Sequence, residues 1–388
     1  MLEGNGERRP VPPFEDRHEQ LRARVREFVE RELAPHADAW ERERFFPNSV
    51  FRRMGELGLL GLKYPHEYGG AGGDWVDEAV LCEELARCGS GGVAAGIGAH
   101  IGIATPPVWK FGSEEQKRRY LAPAIRGEKI AALAITEPDA GSDVAAIRTT
   151  ATRTQSGWVL RGAKTYITNG VRADYFVLAA RTRPEGGHQG LSFFIVDSDL
   201  PGVSRRPLAK LGWHASDTAE IALDDVELPA DALLGEEHRG FYLIMANFQW
   251  ERLLMALGAI GSMRVLVERV VERAKSRPVG GRPLVARQAI RHRIAEMATL
   301  LHAGEALTYH ALRLFAAGTD AVREVTEAKL FTQRAAVRVA DACLQIYGGA
   351  GYTGADGIER ALRDLRLGPI GGGTDEIMRE IVGRSLGL

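Results

Sequence analysis

The first third of the chain carries apolar residues at the spacing of amphipathic helices. Leu21, Val25, Val29 and Leu33 recur every four residues, which predicts a helix over residues 16–36. Four further segments share this character. These predicted helices lie at 47–58, 75–88, 91–110 and 114–126. The sequence therefore begins with an α-helical region.

From residue 129 to residue 237 the pattern changes to short apolar runs separated by turn residues. The runs are rich in β-branched and aromatic side chains, and their spacing is typical of an antiparallel sandwich or barrel. They read KIAALAIT, AIRTTATRT, GWVLRGAKTYIT, YFVLAAR, LSFFIV and EIALDDVEL. The first run predicts a strand over residues 129–136, and residues 140–145 are expected to form a linking loop. The middle third is therefore predicted to be a β region.

After residue 238 helical spacing returns and continues to the end of the chain. The predicted helices cover 239–275, 285–317, 321–348, 357–366 and 374–386. At 1.5 Å per residue the first would be about 55 Å long, a length found in helical bundles. The order α, β, α predicts a multidomain α+β fold. Its expected parts are an N-terminal α-helical domain (1–128), a middle antiparallel β-sandwich or barrel domain (129–238) and a C-terminal four-helix-bundle domain (239–388).

One run in the C-terminal region is long enough to cross a bilayer. Residues 240–263 are largely apolar, but Glu251 and Arg252 stand at the centre, where charge is costly in lipid. We interpret the run as a buried helix of a soluble protein.

Length and charge narrow the possible classes of protein. The 388 residues exceed what one hydrophobic core usually serves, which fits several domains. Fifty Lys and Arg balance 51 Asp and Glu, so net charge gives no argument for a nucleic acid or an anionic membrane as partner. Cys82, Cys88 and Cys343 show no metal-binding spacing and suit a reducing cytoplasm, and no metal site is predicted. Residues 1–19 contain no apolar export segment and are expected to form a frayed tail.

A strand followed by a sharp turn is the first candidate for chemistry. Residues 133–143 read LAITEPDAGSD, in which Pro138 ends the strand and the Thr136 and Ser142 hydroxyls accompany free backbone N–H groups. Such a strand end can hold a polar planar ligand, and an ordinary turn would also account for it. The glycine-rich segment at 64–75 has no GK[ST] after it, so we interpret it as a wide turn and not as a phosphate loop.

A charged pair inside an apolar helix is the second candidate. Between Arg239 and Arg264 the only charged residues are Glu251 and Arg252. Burial would raise the pKa of the carboxylate toward the range of a general base, and a structural ion pair would equally explain it. Consecutive residues point in different directions on a helix, so Arg252 is not a simple partner of Glu251. Both roles stay open on these grounds.

Five sequence blocks, in order, resemble signatures of the acyl-CoA dehydrogenase family. TEPDAGSD follows that family's TEPxAGSD pattern, and GAKTYITNG (162–170) is similar to its second flavin-contacting motif. The other blocks are LDDVELPADALLG (223–235), QIYGGAGY (345–352) and GGGTDEIMREIVGRSL (371–386). The resemblance runs from about residue 15 to the end of the chain. It implies bound FAD, an acyl-CoA substrate, an electron-transfer flavoprotein as acceptor and a homotetramer.

The resemblance also implies a catalytic base, whose place differs between branches of the family. Many members carry a glutamate in a YEGT motif near the C-terminus, where this chain has Gly372. The isovaleryl-CoA and long-chain branches carry it on the long helix, in a motif similar to WERL at 250–253. Glu251 is therefore expected to remove the α-proton, and the Gly372 N–H to bind the thioester oxygen. Asp375 and Glu376 compete as bases, but their place in the first turn of a helix is explained by the helix dipole.

Further site residues are implied by the same resemblance. Flavin contacts within one subunit are implied for Leu133, Ile135, Thr136, Gly141, Ser142, Tyr166, Ile167, Thr168, Thr374 and Glu376. Flavin contacts from a neighbouring subunit are implied for Arg277, Gln288, Gln345, Gly348 and Gly349. Substrate contacts are implied for Ser142, Gln249, Arg252 and Gly373. The family usually has tryptophan in place of Tyr166. It also has phenylalanine in place of Gly280, so some cross-subunit packing on the flavin is expected to be lost.

The expected function is FAD-dependent dehydrogenation of a saturated acyl-CoA to the trans-2-enoyl-CoA. The helix-borne base resembles branches that use branched or long acyl chains. Two alternatives are kept. One is an acyl-CoA oxidase or flavin monooxygenase on the same fold, in which oxygen reaches the reduced flavin. The other is a non-catalytic acyl-CoA-binding protein, motivated by the missing YEGT glutamate.

Overall fold

The computed structural model describes residues 11–388, and its N-terminal region is helical. The α-helices are α1 (Asp16–Phe28), α2 (Ala37–Glu43), α3 (Ser49–Glu56), α4 (Trp75–Glu84), α5 (Gly91–Gly98), α6 (Thr105–Phe111), α7 (Glu114–Gln116) and α8 (Ala122–Ile125). π-Helical turns at Val29–Leu33, Ala99–Ala104 and Lys117–Leu121 divide three of the predicted helices. The helical character of this region is confirmed, while the long helices of the sequence pattern are each interrupted.

The frayed tail expected for residues 1–19 is wrong where the structure describes it. Residues 1–10 lie outside the described part. Phe14 is buried, and its ring lies edge-on against Tyr309 with the ring centroids 5.1 Å apart. α1 then begins at Asp16. One apolar side chain among charged residues and prolines gives no periodic signal, so the sequence pattern does not predict this docking.

The glycine-rich segment at 64–75 forms a wide turn in front of α4, as predicted. A methyl group on Gly70 would lie 2.1 Å from the carbonyl oxygen of Tyr64, so only glycine fits this approach. Asp74 then caps α4 by accepting hydrogen bonds from backbone N–H groups of the first turn. The segment therefore shapes the chain path into α4.

The middle region is built on an eight-stranded sheet. Its strands are β1 (Ala131–Ala134), β2 (Thr150–Arg153), β3 (Gly157–Thr168), β4 (Tyr175–Arg181), β5 (Leu191–Asp197), β6 (Val203–Pro207), β7 (Thr218–Pro229) and β8 (Leu233–Leu234). The strand order is β6-β7-β3-β2-β4-β5-β8, and β1 lies beside β4. β4 and β5 are buried on both faces and form the centre of the region.

Most neighbouring strands are antiparallel, as predicted, but two pairings are parallel. β1 runs parallel to β4, with Leu133 opposite Val177, and β2 meets β4 in parallel at Thr150 and Arg181. The chain leaves β1 and reaches β4 only after β2 and β3, and a crossover of this kind joins parallel strands. β1 is also shorter than the predicted strand, and the expected loop at 140–145 runs into a 3-10 turn at Val144–Ala146.

The C-terminal region is a helical bundle around one long helix. Its helices are α9 (Gly240–Ser276), α10 (Gln288–Ala316), α11 (Val322–Tyr347), α12 (Gly349–Tyr352), α13 (Ile358–Leu365) and α14 (Asp375–Ser385). α9 packs against α10 and α11, so the run at 240–263 is a buried helix. Within residues 11–388 no helix is long and apolar enough to cross a bilayer.

A short hairpin connects α9 to α10. Its strands are β9 (Pro278–Val279) and β10 (Arg282–Pro283). Gly280 and Gly281 form the turn with φ angles of 60° and 76°. Two consecutive left-handed residues are what a two-residue type I′ hairpin turn needs. The glycine at 280 is therefore explained by the turn that this chain makes.

Candidate active site

The central turns of α9 present one partly exposed stripe, while their other faces are buried. The stripe consists of Phe248, Glu251, Leu254, Met255 and Gly258, each three or four residues from the next turn's member. Across from it, a methyl group on Gly102 would lie 2.1 Å from Cδ1 of Leu254, so that π-helical turn approaches α9 closely. Glu251 thus lies on the accessible side of an otherwise buried helix.

A buried polar cluster fixes the opposite side of α9. The Trp250 indole donates a hydrogen bond from Nε1 to Glu78 Oε1 at 2.9 Å, and Glu78 is paired with Lys63. The Trp250 ring also packs on Trp75 and Phe315, with centroid distances of 4.6 and 5.5 Å. Because consecutive helical residues point about 100° apart, anchoring Trp250 inward holds Glu251 toward the stripe.

The Glu251 residue is partly exposed, but one oxygen of its carboxylate is buried and lacks a hydrogen-bond donor. Its Oε2 atom is shielded from solvent and accepts no hydrogen bond from any residue in the described part of the chain. Burial raises the pKa of Glu251 to about 7, against the charges of Arg252 and Lys329, which lower it. A carboxylate with a pKa near neutrality and a free oxygen has the properties of a general base.

Gly372 lies directly beside this carboxylate. A methyl group on Gly372 would lie 3.6 Å from Glu251 Oε1 and 2.4 Å from Met255 Sδ. No side chain larger than hydrogen fits here without displacing Met255. The position at which a side chain of residue 372 would begin therefore lies beside the Glu251 carboxylate. The sequence lacks a glutamate at 372 and has one at 251, and the structure brings these two positions together.

The loop that carries Gly372 is held by three contacts. Gly372 and Gly373 have φ angles of 61° and 91°. Thr374 caps α14 by accepting from the Ile377 N–H at 3.3 Å. The Asp375 N–H donates to the Pro369 carbonyl at 3.0 Å. The third contact is a hydrogen bond from the Lys329 ammonium to the Gly373 carbonyl. These contacts set the direction of the Gly372 and Gly373 peptide groups.

Lys329 is a site residue that the sequence reasoning missed. It is fully buried on α11, between the buried residues Val325, Thr332 and Ala336. Its position on the apolar face of a predicted amphipathic helix is a signal that the sequence does contain. Burial lowers the pKa of Lys329 to about 8, against the raising effect of Asp375.

The two motifs of the middle region lie side by side. The Thr165 N–H donates to the Thr136 carbonyl at 2.9 Å. The Lys164 ammonium donates to Glu137 Oε1 at 2.7 Å and to the Ile135 carbonyl at 3.0 Å. Lys164 is fully buried and Glu137 nearly so. This buried ion pair was not expected, and it joins the end of β1 to β3.

The surface above this pair fits a planar, polar ligand. Tyr166 is 70% exposed with a φ angle of 59°, at an irregularity where the pairing of β3 with β7 shifts register. Thr136 and Thr168 are partly exposed, and the space around Gly141 is open. Tyr166 offers an aromatic face and the threonines offer hydroxyls, groups that can stack on a planar ligand and hydrogen-bond to it. Ile167 lies below, buried in the sheet.

An apolar cluster brings this surface toward Glu251. Leu133 and Ile135 at the end of β1 belong to the same cluster as Ile244 and Phe248 on α9. Phe248 lies one turn before Glu251. The apolar cluster therefore joins the end of β1, which carries the first middle-region motif, to the turns of α9 that precede Glu251.

Several predicted contact residues lie elsewhere in the chain. Arg277 directly follows α9, 26 residues after Glu251, or about 39 Å along the helix axis. Gln288 begins α10, and at the same end of the bundle the Tyr347 hydroxyl donates to the Arg269 carbonyl. The exposed residues Gln345, Gly348 and Gly349 flank that contact. One chain alone does not bring this group to Glu251.

The remaining predicted residues differ in exposure. Ser142 lies in an exposed loop, Gln249 is partly exposed, and Arg252 is buried. The Glu376 side chain is 77% exposed and pairs with Arg379. Glu376 therefore faces solvent, as its place in the first turn of α14 suggests.

The left-handed backbone at Gly372 leads to a stability prediction. We expect Gly372→Ala to lower the free energy of unfolding by about 1–2 kcal/mol, because alanine is disfavoured at a left-handed φ. The displaced Met255 side chain would add to this loss. Gly383 in α14 is the control, since its surroundings are open and its φ is ordinary. Gly383→Ala should leave stability unchanged or raise it by about 0.5–1 kcal/mol in the same urea titration. If both substitutions changed the free energy of unfolding equally, the left-handed φ of Gly372 could not be the cause of the loss.

Comparison with known proteins gives one family for all three regions. The chain matches the profiles described as "Acyl-CoA dehydrogenase, N-terminal domain" over residues 15–128, "middle domain" over 132–226 and "C-terminal domain" over 238–387. It is 39% identical over 367 residues to an acyl-CoA dehydrogenase of Bacillus subtilis, covering 94% of this chain and 97% of that protein. It is 35% identical over 376 residues to a mitochondrial isovaleryl-CoA dehydrogenase of Solanum tuberosum, covering 96% and 91%. A crystal structure of an acyl-CoA dehydrogenase from Geobacillus kaustophilus matches with a TM-score of 0.95 at 39% identity, covering 98% of this chain and all of that one.

Proposed function

Because this chain belongs to the acyl-CoA dehydrogenase family, whose members are FAD-dependent oxidoreductases, we propose that it oxidises a saturated acyl-CoA to the trans-2-enoyl-CoA with Glu251 as base. The observation that carries the proposal is the buried Glu251 carboxylate, without a donor on Oε2, beside Gly372. The missing glutamate at 372 is thereby replaced from α9.

In the proposed reaction Glu251 takes the α-proton of the thioester. A base with a pKa of about 7 is largely ionised at slightly alkaline pH and is still strong enough to accept the proton. The backbone N–H groups of the Gly372–Gly373 segment would bind the thioester oxygen, on which negative charge develops as the proton leaves. FAD, when bound, supplies the acceptor for the hydride from the β-carbon.

The residues proposed to hold FAD fall into two sets. Tyr166, Thr168 and Thr136 would contact the flavin ring within one subunit. Arg277 and Gln288 would contact a neighbouring subunit's cofactor, which fits their distance from Glu251 in a single chain. Residues 273–293 contain seven Lys or Arg and no Asp or Glu, a local excess of positive charge suited to a diphosphate. Contacts to a neighbouring subunit's cofactor require an oligomer, and we propose a homotetramer.

We also propose an electron-transfer flavoprotein as the electron acceptor. The three unpaired, buried cysteines suit the cytoplasm.

Anaerobic titration of the purified holoenzyme with acyl-CoAs tests the proposed function. The panel contains straight, branched and long saturated chains, and coenzyme A alone is the control. We expect some thioesters to bleach the visible flavin band, since α,β-dehydrogenation reduces the flavin. The extent of bleaching would rank the acyl groups.

Other outcomes would favour a different enzyme or a binding protein. Bleaching followed by rapid oxygen consumption and peroxide release would favour an oxidase. Tight binding of acyl-CoA with no bleaching by any chain would exclude dehydrogenation of these thioesters and favour the binding-only alternative.

A further inference from the structure

A buried lysine lies between the proposed base and the glycine loop. Lys329 has no exposed surface, which is rare for lysine unless the ammonium group is paired. Its ammonium donates to the carbonyl oxygen of Gly373. Lys329 belongs to α11 and is distant along the chain from both Glu251 and Gly372. The packing of the helices, and not sequence proximity, brings it to this place.

The loop that Lys329 contacts contains three consecutive glycines, Gly371 to Gly373. Glycine has more conformational freedom than other residues, so a three-glycine loop needs outside contacts to hold one peptide orientation. Two of the contacts lie at the borders of the loop, at Thr374 and Asp375. Lys329 is the side chain that bonds a glycine of the loop directly, at the carbonyl of Gly373, the residue after Gly372.

Charged groups from three helices surround this place. On α9 they are Glu251 and Arg252, and on α14 they are Asp375 and Glu376, all of which interact with Lys329 of α11. The charges that act on Glu251 are those of Arg252 and Lys329. Lys329 therefore joins the base, the loop and the start of α14 in one electrostatic group.

We propose that Lys329 is a positioning residue that acts on the reaction through two neighbours: it fixes the Gly373–Thr374 peptide and thereby the glycine loop that precedes it, and its charge opposes protonation of Glu251. The inference rests on the proposed function of Glu251 as base. Lys329 itself is not expected to touch the thioester or to exchange a proton with it.

The two roles have different kinetic signatures. Without the Lys329 charge the pKa of Glu251 should rise above about 7, because burial would be opposed by Arg252 alone. Glu251 must be ionised to act, so the acid limb of kcat/KM should move to higher pH. Loss of the contact with Gly373 should instead lower the plateau of kcat at high pH, since the loop acts on charge that develops in the transition state.

Three substitutions separate the roles in the holoenzyme. Lys329→Met removes both the charge and the donor, Lys329→Gln keeps a donor without charge, and Lys329→Arg keeps both. We expect Lys329→Met to move the acid limb up by about one pH unit or more, and to lower the plateau of kcat more than it raises KM. Lys329→Gln should also move the acid limb of kcat/KM to higher pH, but it should keep more of the plateau of kcat than Lys329→Met does. Lys329→Arg should leave the acid limb near its wild-type position.

The matched control is Arg338→Met on the same helix. Arg338 is exposed and lies nine residues from Lys329, about 13 Å along the helix axis. The Arg338→Met substitution removes one positive charge from α11 at a distance from Glu251. It should leave both the acid limb of kcat/KM and the plateau of kcat unchanged. A limb that moves equally in this control would assign the effect to net charge and overturn the proposal.

A measurement without turnover keeps the inference separate from the proposed function. Difference infrared spectroscopy follows protonation of the Glu251 carboxyl group in the oxidised holoenzyme, with Glu251→Gln identifying the band. The Glu251 titration should lie at higher pH in Lys329→Gln than in the wild type, whether or not any acyl-CoA bleaches the flavin. An unchanged titration, with only reduced flavin content or melting temperature, would show that Lys329 is merely structural.

Discussion

Replacing Glu251 with glutamine is expected to lower kcat for acyl-CoA oxidation by about a thousandfold while FAD remains bound. Glutamine has the same shape as glutamate but cannot take a proton, and a positioned general base typically contributes about 10²–10⁴-fold. The Met255 side chain and the loop at Gly372 need not move, because the substitution adds no volume. The loss should therefore lie in the chemical step.

Stopped-flow reduction of the flavin measures this step directly. KM for the preferred acyl-CoA should change much less than kcat, because the thioester contacts stay in place. Glu272→Gln is the matched control, since Glu272 is an exposed carboxylate on the same helix, 21 residues further along. Flavin reduction within about tenfold of the wild-type rate in Glu251→Gln would remove Glu251 as the base.

The same assignment fixes the direction of the pH dependence. The ionised form of Glu251 is the active one, and burial raises its pKa to about 7. kcat/KM of the wild type should therefore rise with pH through about 7, and this limb should be absent from the residual activity of Glu251→Gln. A limb near 4.5, the ordinary value for glutamate, would contradict the burial of the carboxylate.

The sequence singles out the proposed base, Glu251, but does not predict the residues that surround it. Glu251 stands out because charges are rare in an apolar helix, and Gly372 stands out against a known motif. The charged residue that acts on Glu251 from another helix does not stand out in the sequence. Lys329 lies 78 residues from Glu251 along the chain, and only the packing of α11 on α9 brings the two charges together. No local spacing rule contains that information.

The fold shows the same division between local pattern and long-range pairing. The boundaries of α9 and α11 follow from periodicity, because one face of each helix is buried along its whole length. The direction of β1 relative to β4 does not, since a short apolar run indicates a buried strand without saying which strand it pairs with or in which direction. Phe14 is a third case, in which a single side chain docks without any periodic pattern around it.

Replacing Lys164 with methionine is expected to cost about 3–5 kcal/mol of stability and to release FAD more readily. The change leaves Glu137 buried without its counter-charge, and breaking a buried pair from one side is among the most costly substitutions. Glu137 would keep its bonds from the Arg148 and Thr149 N–H groups, at 2.7 and 3.0 Å, so the turn after β1 should stay formed while its tie to β3 is lost.

A urea titration followed by flavin fluorescence measures both effects. Arg161→Met on the same strand is the control, because Arg161 and Asp225 form an exposed pair of the kind that contributes about 0–1 kcal/mol. The Lys164 charge holds the pKa of Glu137 below its usual range, and burial lowers the pKa of Lys164 to about 8. The contribution of the pair is therefore full between about pH 4.5 and 8, and on the acid side it is lost as the pH falls through the folded-state pKa of Glu137. The difference between Lys164→Met and wild type should therefore shrink in acid. If the two substitutions shifted the urea midpoint equally, the buried pair could not be what joins the two motifs proposed to bind flavin, and the support for Tyr166 would have to come from the sheet alone.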